Sequence, residues 1–288
     1  MEEKVPCNIC NSDNTALLFQ KDGINVVRCR ECDLVYVNPR PHLDILHDQY
    51  HDEDYFDYYE QMEQSDAVTF NRRLIKVEAR TPPGRLLDLG CARGTFLQVA
   101  LKRGWQGVGV DISTSAIEHC QSLGLDAHCG NLPDLQFAAE SFDFINMEDS
   151  IEHLPDPATM IKEVYRLLKP NGWLLVRTPD IGSLIARLQG QHWIQIKPAE
   201  HIYYFSGATL KKLLTLVGFT VVKTESLGRV FFWKLVAEKL KHQNRFLGSC
   251  LAFILNLLRL NRKTIGINLG DEIGVWAIKK PKRNGSQI

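Results

Sequence analysis

The sequence of 288 residues has no uncharged apolar run of 18 residues, so we expect no helix that crosses a bilayer. Its opening, MEEKVPCNIC, lacks the apolar core of a secretory signal, and a cytoplasmic protein is therefore expected. An overall charge is also lacking, because 34 Lys and Arg balance 34 Asp and Glu. Residues 2–66 are even acidic, with 15 Asp and Glu against 5 Lys and Arg. No nucleic-acid partner is expected, since an acidic surface repels phosphates.

Half of the eight cysteines form two CxxC pairs near the N-terminus, separated by 18 residues. Without a secretory signal, reduced thiols that bind metal are favoured over disulfides. Four thiolates at this spacing can bind one Zn²⁺ with no open position, which indicates a structural site; an iron site or a disulfide pair is the alternative. The predicted ligands are Cys7, Cys10, Cys29 and Cys32. A hairpin turn at Asp22-Gly23 completes a zinc-ribbon-like module over residues 1–40.

Residues 41–80 are acidic and rich in tyrosine, and they predict a helical linker or a lid over a pocket. His47 and His51 lie four residues apart, a spacing that could form a metal pair on a helix. A solvated helix face is the simpler interpretation of these two histidines.

From Gly84 onward, apolar strands alternate with helical stretches. The predicted strands are RLLDLG, GVGVDI, FDFINM and WLLVRT, and the predicted helices include residues 94–103, 114–123 and 157–169. This alternation is typical of an α/β domain with a mainly parallel sheet, which we place at residues 81–228 and 269–281. Ligands of such sheets bind at the carboxyl ends of the strands, where the winding reverses.

The first strand ends in a glycine turn, LLDLGCARGTFL, that leads into a helix. Its G-x-x-x-G spacing differs from the G-x-G-x-x-G dinucleotide pattern. Asp88, two residues before Gly90, is unfavourable beside a pyrophosphate but suits S-adenosylmethionine, which carries an ammonium and a sulfonium. Asp111 follows the second strand and could accept both ribose hydroxyls, although a helix N-cap is an alternative role. Asn131 could bind the adenine amine, and Leu132 could pack on the ring.

Several segments, in this order, resemble the class I S-adenosylmethionine-dependent methyltransferases over residues 84–225. They are LLDLGCARG, GVGVDIS, GNLPDL, SFDFINMEDSIEHLPDP and LLKPNGWLLVRTP. With the cysteine module and HIYYFSGATLKKLLTLVGF, the chain resembles bacterial methyltransferases that have an N-terminal zinc-binding region, including sugar C-methyltransferases. The resemblance implies a Rossmann-like seven-stranded sheet with helices on both faces. It also implies methyl transfer from S-adenosylmethionine to a nucleophile. The sequence departs from many members at Ala92, where they have glycine.

The positions expected to contact the cofactor are Asp88, Gly90, Cys91, Ala92, Gly94, Asp111, Ile112, Asn131, Leu132 and Met147.

Two segments could supply the catalytic residues. After the fourth strand, His153 could act as a base, or Glu152-His153 could be structural. A third interpretation is that Asp149, Glu152 and His153 bind a divalent metal, which a similar acid-x-x-Glu-His run in ubiquinone-pathway O-methyltransferases implies. Further on, QHWIQIKPAEHIYYFS is irregular and aromatic, and it predicts the wall of an acceptor pocket. There His201, oriented by Glu200 or a tyrosine, is the preferred candidate for the base. The resemblance to sugar C-methyltransferases implies the same role for it.

Residues 229–268 predict a helical insertion before the last strand, which we assign to GDEIGVWAIKK. The segment FLGSCLAFILNLL has no charge, and basic residues flank it. It could lie in a membrane interface through residues 229–263, form an oligomer contact, or pack as an ordinary buried helix pair.

The leading hypothesis is an S-adenosylmethionine-dependent methyltransferase that acts on a hydroxyl or a carbon of a small-molecule acceptor, such as a sugar-derived or lipid-linked one. The alternative from another class is a catalytically silent binding or scaffold protein that keeps the fold. A nicotinamide-dependent oxidoreductase is disfavoured by the glycine spacing and by Asp88.

Overall fold

The N-terminal module is an antiparallel sheet built on a hairpin. The computed structural model describes residues 2–41, 53–258, 260 and 263–281. The strands of the module are β1 (Glu2–Glu3), β2 (Thr15–Lys21), β3 (Ile24–Cys29), β4 (Val35–Val37) and β5 (Arg40–Pro41). Asp22 and Gly23 join β2 to β3 with φ of 53° and 80°. Positive φ at both positions is what a type I′ turn requires, so the predicted hairpin is confirmed.

The segment predicted as a linker is a long helix in its described part. Helix α1 (Glu53–Glu78) is 26 residues long and buries Leu74 and Val77 against one face of the central sheet. His47 and His51 lie outside the described residues.

Strands and helices alternate through the rest of the chain, as the sequence predicts. The remaining helices are α2 (Thr95–Lys102), α3 (Thr114–Ser122), α4 (Pro157–Leu167), α5 (Leu184–Gln189), α6 (Gly207–Val217), α7 (Trp233–Gln243) and α8 (Arg245–Leu257). The remaining strands are β6 (Arg85–Leu89), β7 (Gln106–Asp111), β8 (Asp126–Cys129), β9 (Phe142–Glu148), β10 (Leu168–Pro179), β11 (Tyr203–Tyr204), β12 (Thr220–Ser226), β13 (Arg229–Phe232), β14 (Thr264–Ile267) and β15 (Glu272–Ile278).

Seven strands form the central sheet, in the order β12-β15-β10-β9-β6-β7-β8, and β15 runs antiparallel to its neighbours. Successive side chains of a strand point to opposite faces. Leu86 and Phe144 accordingly enter the core beneath α1 and α2. Leu87 and Ile145 enter the core on the other face, beneath α4 and α6. The α/β fold with helices on both faces of a seven-stranded sheet is therefore confirmed.

The winding reverses between β6 and β9. From β6 the chain builds β7 and β8 outward on one side and then returns to place β9 on the other side. The carboxyl ends of β6, β7 and β9 meet at this switch point, which is where open α/β sheets bind their ligands.

The N-terminal module and the central sheet share one core. Strand β11 pairs with β4, so that Tyr203 lies opposite Tyr36. Val26 and Tyr36 of the module belong to the same buried cluster as Leu87 of β6. The module is therefore packed on the domain through a strand contributed by residues 203–204.

The insertion between β12 and β15 contains more than helices. Strands β13 and β14 pair as an antiparallel ribbon that carries α7 and α8. The two helices approach closely at Gly248, where a Cβ atom would lie 2.3 Å from the backbone nitrogen of Lys241. Among the described helices, none combines the length and the apolar character needed to cross a bilayer.

Candidate functional site

The turn after β6 has the left-handed backbone that its glycines predict. Gly90, Ala92 and Gly94 have φ of 81°, 44° and 76°. A Cβ atom at Gly90 would lie 3.0 Å from Cβ of Ser150, so glycine also permits a close approach of two loops there. Ala92 adopts an angle that is strained for a residue with a Cβ atom. Ala92 nevertheless has the left-handed backbone conformation that glycine would favour at this position.

Asp111 connects the carboxyl end of β7 to this turn. The Ala92 N–H donates to its Oδ2 atom and the Ser113 N–H to its Oδ1 atom, both at 2.9 Å. The helix N-cap of α3 is Ser113, whose hydroxyl accepts from Ala116. Asp111 is therefore held by backbone amides at the edge of the crevice and does not cap the helix. The Ile112 N–H also bonds this carboxylate, which has about four lone pairs in all and could still accept from a ribose hydroxyl.

Asp88 lies beneath the turn and is buried. Its Oδ1 atom accepts a hydrogen bond of 2.9 Å from the Asn146 amide. Burial raises the pKa of Asp88 to about 8, and the negative charges of Glu148 and Asp111 add to this rise. A cationic ligand above the turn would favour the ionised form of Asp88.

The other predicted cofactor positions divide into two groups. Ile112 and Asn131 are exposed at the carboxyl ends of β7 and β8, while Cys91 is buried within the turn. The side chains of Leu132 and Met147 are fully buried in the core. They do not present an open surface, contrary to the expectation that Leu132 packs on the adenine ring from a crevice wall.

Two residues near the turn were not singled out from the sequence. A Cβ atom at Gly109 of β7 would lie 2.8 Å from Sγ of Cys91 and 2.6 Å from Cδ1 of Leu97, so only glycine leaves room for the turn. The hydroxyl of Ser150 is buried beside Gly90 and has no hydrogen-bond partner among the described residues. A buried hydroxyl beside the Gly90 turn fits a polar ligand such as S-adenosylmethionine.

A network of guanidinium and carboxylate groups fills the space beyond β9. Arg177 is buried and donates to both oxygens of Asp149, at 2.5 and 2.6 Å. Arg229 of β13 also bonds Asp149. Arg73 of α1 bonds both oxygens of Glu148, at 3.0 and 3.2 Å. A sequence signal for this network existed, because Arg177 interrupts the otherwise apolar strand WLLVRT.

This network makes Asp149 part of an ion-pair cluster instead of a metal site. Burial alone would raise the pKa of Asp149, but Arg177 and Arg229 lower it to about 2. The predicted metal set of Asp149, Glu152 and His153 is therefore not the one that the structure brings together.

Instead, Glu152 and His153 lie beside His201, and one ligand atom of each lies within 4.8 Å of the others. Nδ1 of His153 bonds the Glu200 carbonyl and Nδ1 of His201 bonds the Gln195 carbonyl, both at 2.9 Å. Histidines that bind metals usually have such a carbonyl partner on the other ring nitrogen. A carboxylate with two imidazoles is also a donor set that divalent transition metals accept.

Burial keeps this cluster electrically neutral. It raises the pKa of Glu152 to about 8, with a further rise from Asp149, and it lowers the pKa of His201 to about 3. The Thr178 hydroxyl donates to Oε2 of Glu152 at 2.9 Å. Contrary to expectation, Glu200 does not orient His201, because its carboxylate bonds Lys197 at 3.0 Å.

The aromatic segment around His201 is packed instead of forming an open wall. Trp193, Tyr204 and Phe205 are buried in the core that joins the N-terminal module to the central sheet. The prediction of an acceptor wall is therefore wrong for these three side chains. They pack in the core where β11 joins the N-terminal module to the central sheet.

The four N-terminal cysteines form one cluster. Sγ of Cys7 lies 3.3 Å from Sγ of Cys32, and Sγ of Cys10 lies 3.5 Å from Sγ of Cys29; all four atoms lie within 4.8 Å of one another. A tetrahedral Zn²⁺ with bonds of about 2.3 Å requires sulfur spacings of this size. Burial raises the pKa of Cys7 to about 11, so a cation is needed to keep such thiols ionised. The arrangement fits the predicted zinc.

The two pairs also have matching backbones. The N–H of Asn11 donates to the Cys7 carbonyl at 2.8 Å, and the N–H of Asp33 donates to the Cys29 carbonyl at 3.0 Å. Asn11 and Asp33 each follow a CxxC pair and have φ of 58° and 64°. Two equivalent knuckles therefore face each other across the cluster.

Solved structures with this architecture include S-adenosylmethionine-dependent methyltransferases. An S-adenosylmethionine-dependent methyltransferase from Archaeoglobus fulgidus covers 78% of this chain and 99% of its own, with a TM-score of 0.53 and 20% identity. One from Thermotoga maritima covers 83% of this chain and all of its own, with a TM-score of 0.54 and 20% identity. Likeness at this identity establishes the fold.

Curated relatives match a shorter part of the chain. A ubiquinone biosynthesis O-methyltransferase from Coxiella burnetii is 36% identical over 99 residues, which are 32% of this chain and 42% of the relative. The enzyme of the same name from Paracidovorax citrulli is 30% identical over 105 residues, which are 33% of this chain and 43% of the relative. The chain thus spans less than half the length of these two relatives. A family model described as a methyltransferase domain matches residues 58–224, more than half of the chain. With the switch-point turn, Asp111 and the seven-stranded sheet in place, this match shows that the chain belongs to the methyltransferase-domain family, as its motifs predict.

Proposed function

We propose that the protein transfers a methyl group from S-adenosylmethionine to a hydroxyl oxygen of a small-molecule acceptor. The observation that carries this proposal is the position of the cluster of Glu152, His153 and His201. Glu152 and His153 follow the carboxyl end of β9, and β9 pairs with β6, the strand that leads into the Gly90 turn. The relatives named ubiquinone biosynthesis O-methyltransferases support an oxygen acceptor.

The turn and Asp111 would hold the cofactor. Asp111 would accept the ribose hydroxyls, and Ser150 would offer its buried hydroxyl from the β9 side. Bound S-adenosylmethionine supplies a methyl group that is already electrophilic. The main task of the protein is then to align the acceptor oxygen with that methyl group.

His153 is the better placed of the two imidazoles to accept the acceptor proton. It is half-buried, whereas His201 is buried behind it with the ring centroids 4.7 Å apart. Because a carbonyl can only accept, Nδ1 of His153 carries the proton that it donates to Glu200. Nε2 is then the basic nitrogen, and His201 and Glu152 would position the ring.

The same cluster could act by holding a divalent cation, which would lower the pKa of an acceptor hydroxyl. The backbone carbonyl partners of both imidazoles favour this second role. As a base the cluster would accept the proton of the acceptor hydroxyl, whereas with a bound cation it would make that hydroxyl more acidic.

The test uses methyl-labelled S-adenosylmethionine with phenolic, sugar and lipid-linked acceptors. Label in a methyl ether, identified by nuclear magnetic resonance, would support the proposal. His153→Ala should lower kcat at least about 100-fold while cofactor affinity is kept. His192→Ala, at an exposed histidine outside the cluster, is the matched control.

Other outcomes would contradict parts of the proposal. A carbon–methyl product would move the acceptor atom from oxygen to carbon. Tight cofactor binding with no transfer to any acceptor would favour a silent binding protein. Loss of activity on chelation, restored by Mg²⁺ or Mn²⁺ while the N-terminal zinc stays bound, would assign the cluster to metal instead of to a base.

A further inference from the structure

Helix α8 exposes an apolar face. The exposed fractions of Phe246, Phe253 and Leu257 are 75%, 69% and 71%. Leu247, Ile254 and Leu258 are also exposed, whereas the described buried positions of the helix are Gly248 and Leu255. An ordinary surface helix has the opposite arrangement, with polar residues outward.

The exposed positions form one continuous surface. Phe246, Cys250, Phe253 and Leu257 recur at intervals of four, three and four residues, which places them along one side of the helix. Leu247, Ile254 and Leu258 each lie one position further along and widen this stripe. An apolar surface of this extent on a helix indicates a partner or a lipid phase.

The chain holds this surface in a fixed position. The ribbon of β13 and β14 carries α7 and α8, and the Val230 N–H donates to the Thr69 hydroxyl of α1 at 2.9 Å. The close contact at Gly248 fixes α8 against α7. The insertion is thereby joined to the helix that reaches Glu148 at the switch point.

Charge selects the kind of partner. Residues 229–263 contain eight Lys and Arg, of which Arg229 is paired with Asp149, and a single acid, Glu238, which pairs with Lys234 at 3.8 Å. Lys241 and Arg245 are exposed, and Arg245 immediately precedes Phe246. A second copy docked on the same face would bring two cationic segments together. Anionic lipid headgroups match these charges, and the acyl chains match the apolar stripe.

We propose that α8 is an interfacial helix that docks the protein on an anionic lipid surface. Phe246, Phe253 and Leu257 enter the boundary between headgroups and acyl chains, and Lys241 and Arg245 bind the headgroups. The docking itself is independent of the reaction.

The insertion also leaves the sheet on the side of the functional site. Strand β12 runs parallel to β10, since both are antiparallel to β15, so its carboxyl end lies at the edge where β6 and β9 also end. A docked molecule would turn this edge toward the lipid. This favours a hydroxyl-bearing amphiphile dissolved in the bilayer as the acceptor, an extension that rests on the proposed function.

Vesicle flotation tests the docking. The full-length protein should float with phosphatidylcholine vesicles that contain about 30% phosphatidylglycerol, but not with phosphatidylcholine alone. Binding should weaken as salt rises. Phe253→Glu should lower the vesicle-bound to free ratio at least about tenfold, because a buried phenylalanine is worth more than this factor. Leu216→Glu, at a site 63% exposed on α6, is the matched control and should float like the wild type.

Calorimetry of S-adenosylmethionine binding without vesicles separates this result from the proposed function, because Phe253→Glu should bind the cofactor like the wild type. Failure of the wild type to float with anionic vesicles would overturn the docking. Equal flotation of Phe253→Glu would show that α8 is not the docking face. A dimer in sedimentation velocity that Phe253→Glu dissociates, together with no vesicle binding, would assign the face to a second copy.

Discussion

At the scale of single residues, we expect two roles for Asp111. It accepts from the turn through Ala92, and we expect it to accept from the ribose of the cofactor. Asp111→Asn keeps the size of the side chain but removes the charge that strengthens these hydrogen bonds. The affinity for S-adenosylmethionine should fall about 10- to 100-fold, since hydrogen bonds to a charged group are worth about 1.5–3 kcal/mol each.

Isothermal titration calorimetry measures this change, and Asp126→Asn, at an exposed carboxylate, serves as the control. An unchanged affinity in Asp111→Asn would remove the ribose assignment. Circular dichroism would show whether the turn itself has been lost.

Asp88 makes a second residue-scale prediction, on the dependence of stability on pH. Its pKa is about 8 in the folded protein and about 4 when unfolded, so the folded state binds the proton more tightly between these values. Its contribution to stability is therefore lost as pH rises from about 4 to 8. Asp88→Asn lacks this carboxyl group. As pH rises from about 4 to 8, its free energy of unfolding should therefore decrease less than that of the wild type.

Urea unfolding at several pH values measures the difference, again with Asp126→Asn as the control. If the stabilities of Asp88→Asn and the wild type change in parallel with pH, Asp88 is not buried as a neutral acid. Saturating S-adenosylmethionine should make the pH dependence of stability more similar in Asp88→Asn and the wild type, because a cationic ligand favours ionised Asp88.

At the scale of elements, the packing of β7 against the cofactor turn depends on Gly109. A methyl group there would overlap Cys91 and Leu97, so Gly109→Ala must displace either the turn or α2. We expect a loss of about 1–3 kcal/mol in the free energy of unfolding, and weaker cofactor binding. Gly266→Ala in β14 is a fair control, since its Cβ would lie 3.8 Å from the nearest atom beyond its chain neighbours, on Arg72.

Denaturant unfolding and calorimetry check this pair of variants. An equally stable Gly109→Ala with normal cofactor affinity would mean that the contact between β7 and the turn yields easily. Equal losses in both variants would point to a general cost of alanine in strands.

At the scale of the whole molecule, the cysteine cluster should stabilise more than its own module. The module donates β4 as the partner of β11, and β11 lies two residues after His201. Cys32→Ser should lower the zinc content from about one ion per chain to about none, since four thiolates complete the site. It should also lower the melting temperature and the activity through the His201 segment.

Metal analysis, thermal unfolding and the methyl-transfer assay follow these effects. Cys250→Ser, at an exposed cysteine of α8, should change none of them. A zinc-free Cys32→Ser with full activity would show that the His201 segment keeps its place without the metal.

Much of this architecture could be predicted because its signals are local. The alternation of strands and helices, the turn at Gly90 and the hairpin at Asp22-Gly23 each depend on neighbouring residues. The contact of His153 with His201 could not be predicted, since it depends on β11 joining a different sheet. For the same reason, the ion pair between Arg229 of the insertion and Asp149 could not be predicted from the sequence.

Burial was the other quantity that the sequence left open. Leu132 follows a strand, as a crevice residue would, yet its side chain turns into the core. Composition alone suggests that the aromatic residues near His201 form the wall of a binding pocket. They are instead packed in the core that joins the N-terminal module to the central sheet. Composition identifies apolar side chains that are more stable when removed from water. Which part of the protein or ligand covers them depends on tertiary packing.

The placement of β11 has a consequence for biosynthesis. The four cysteines are translated before residues 203–204, which form the strand that completes their sheet. In a nascent chain whose four thiols are already close together, the edge of β4 therefore stays unpaired until residues 203–204 have been made. Until then, the sheet of the cysteine module lacks one of its strands.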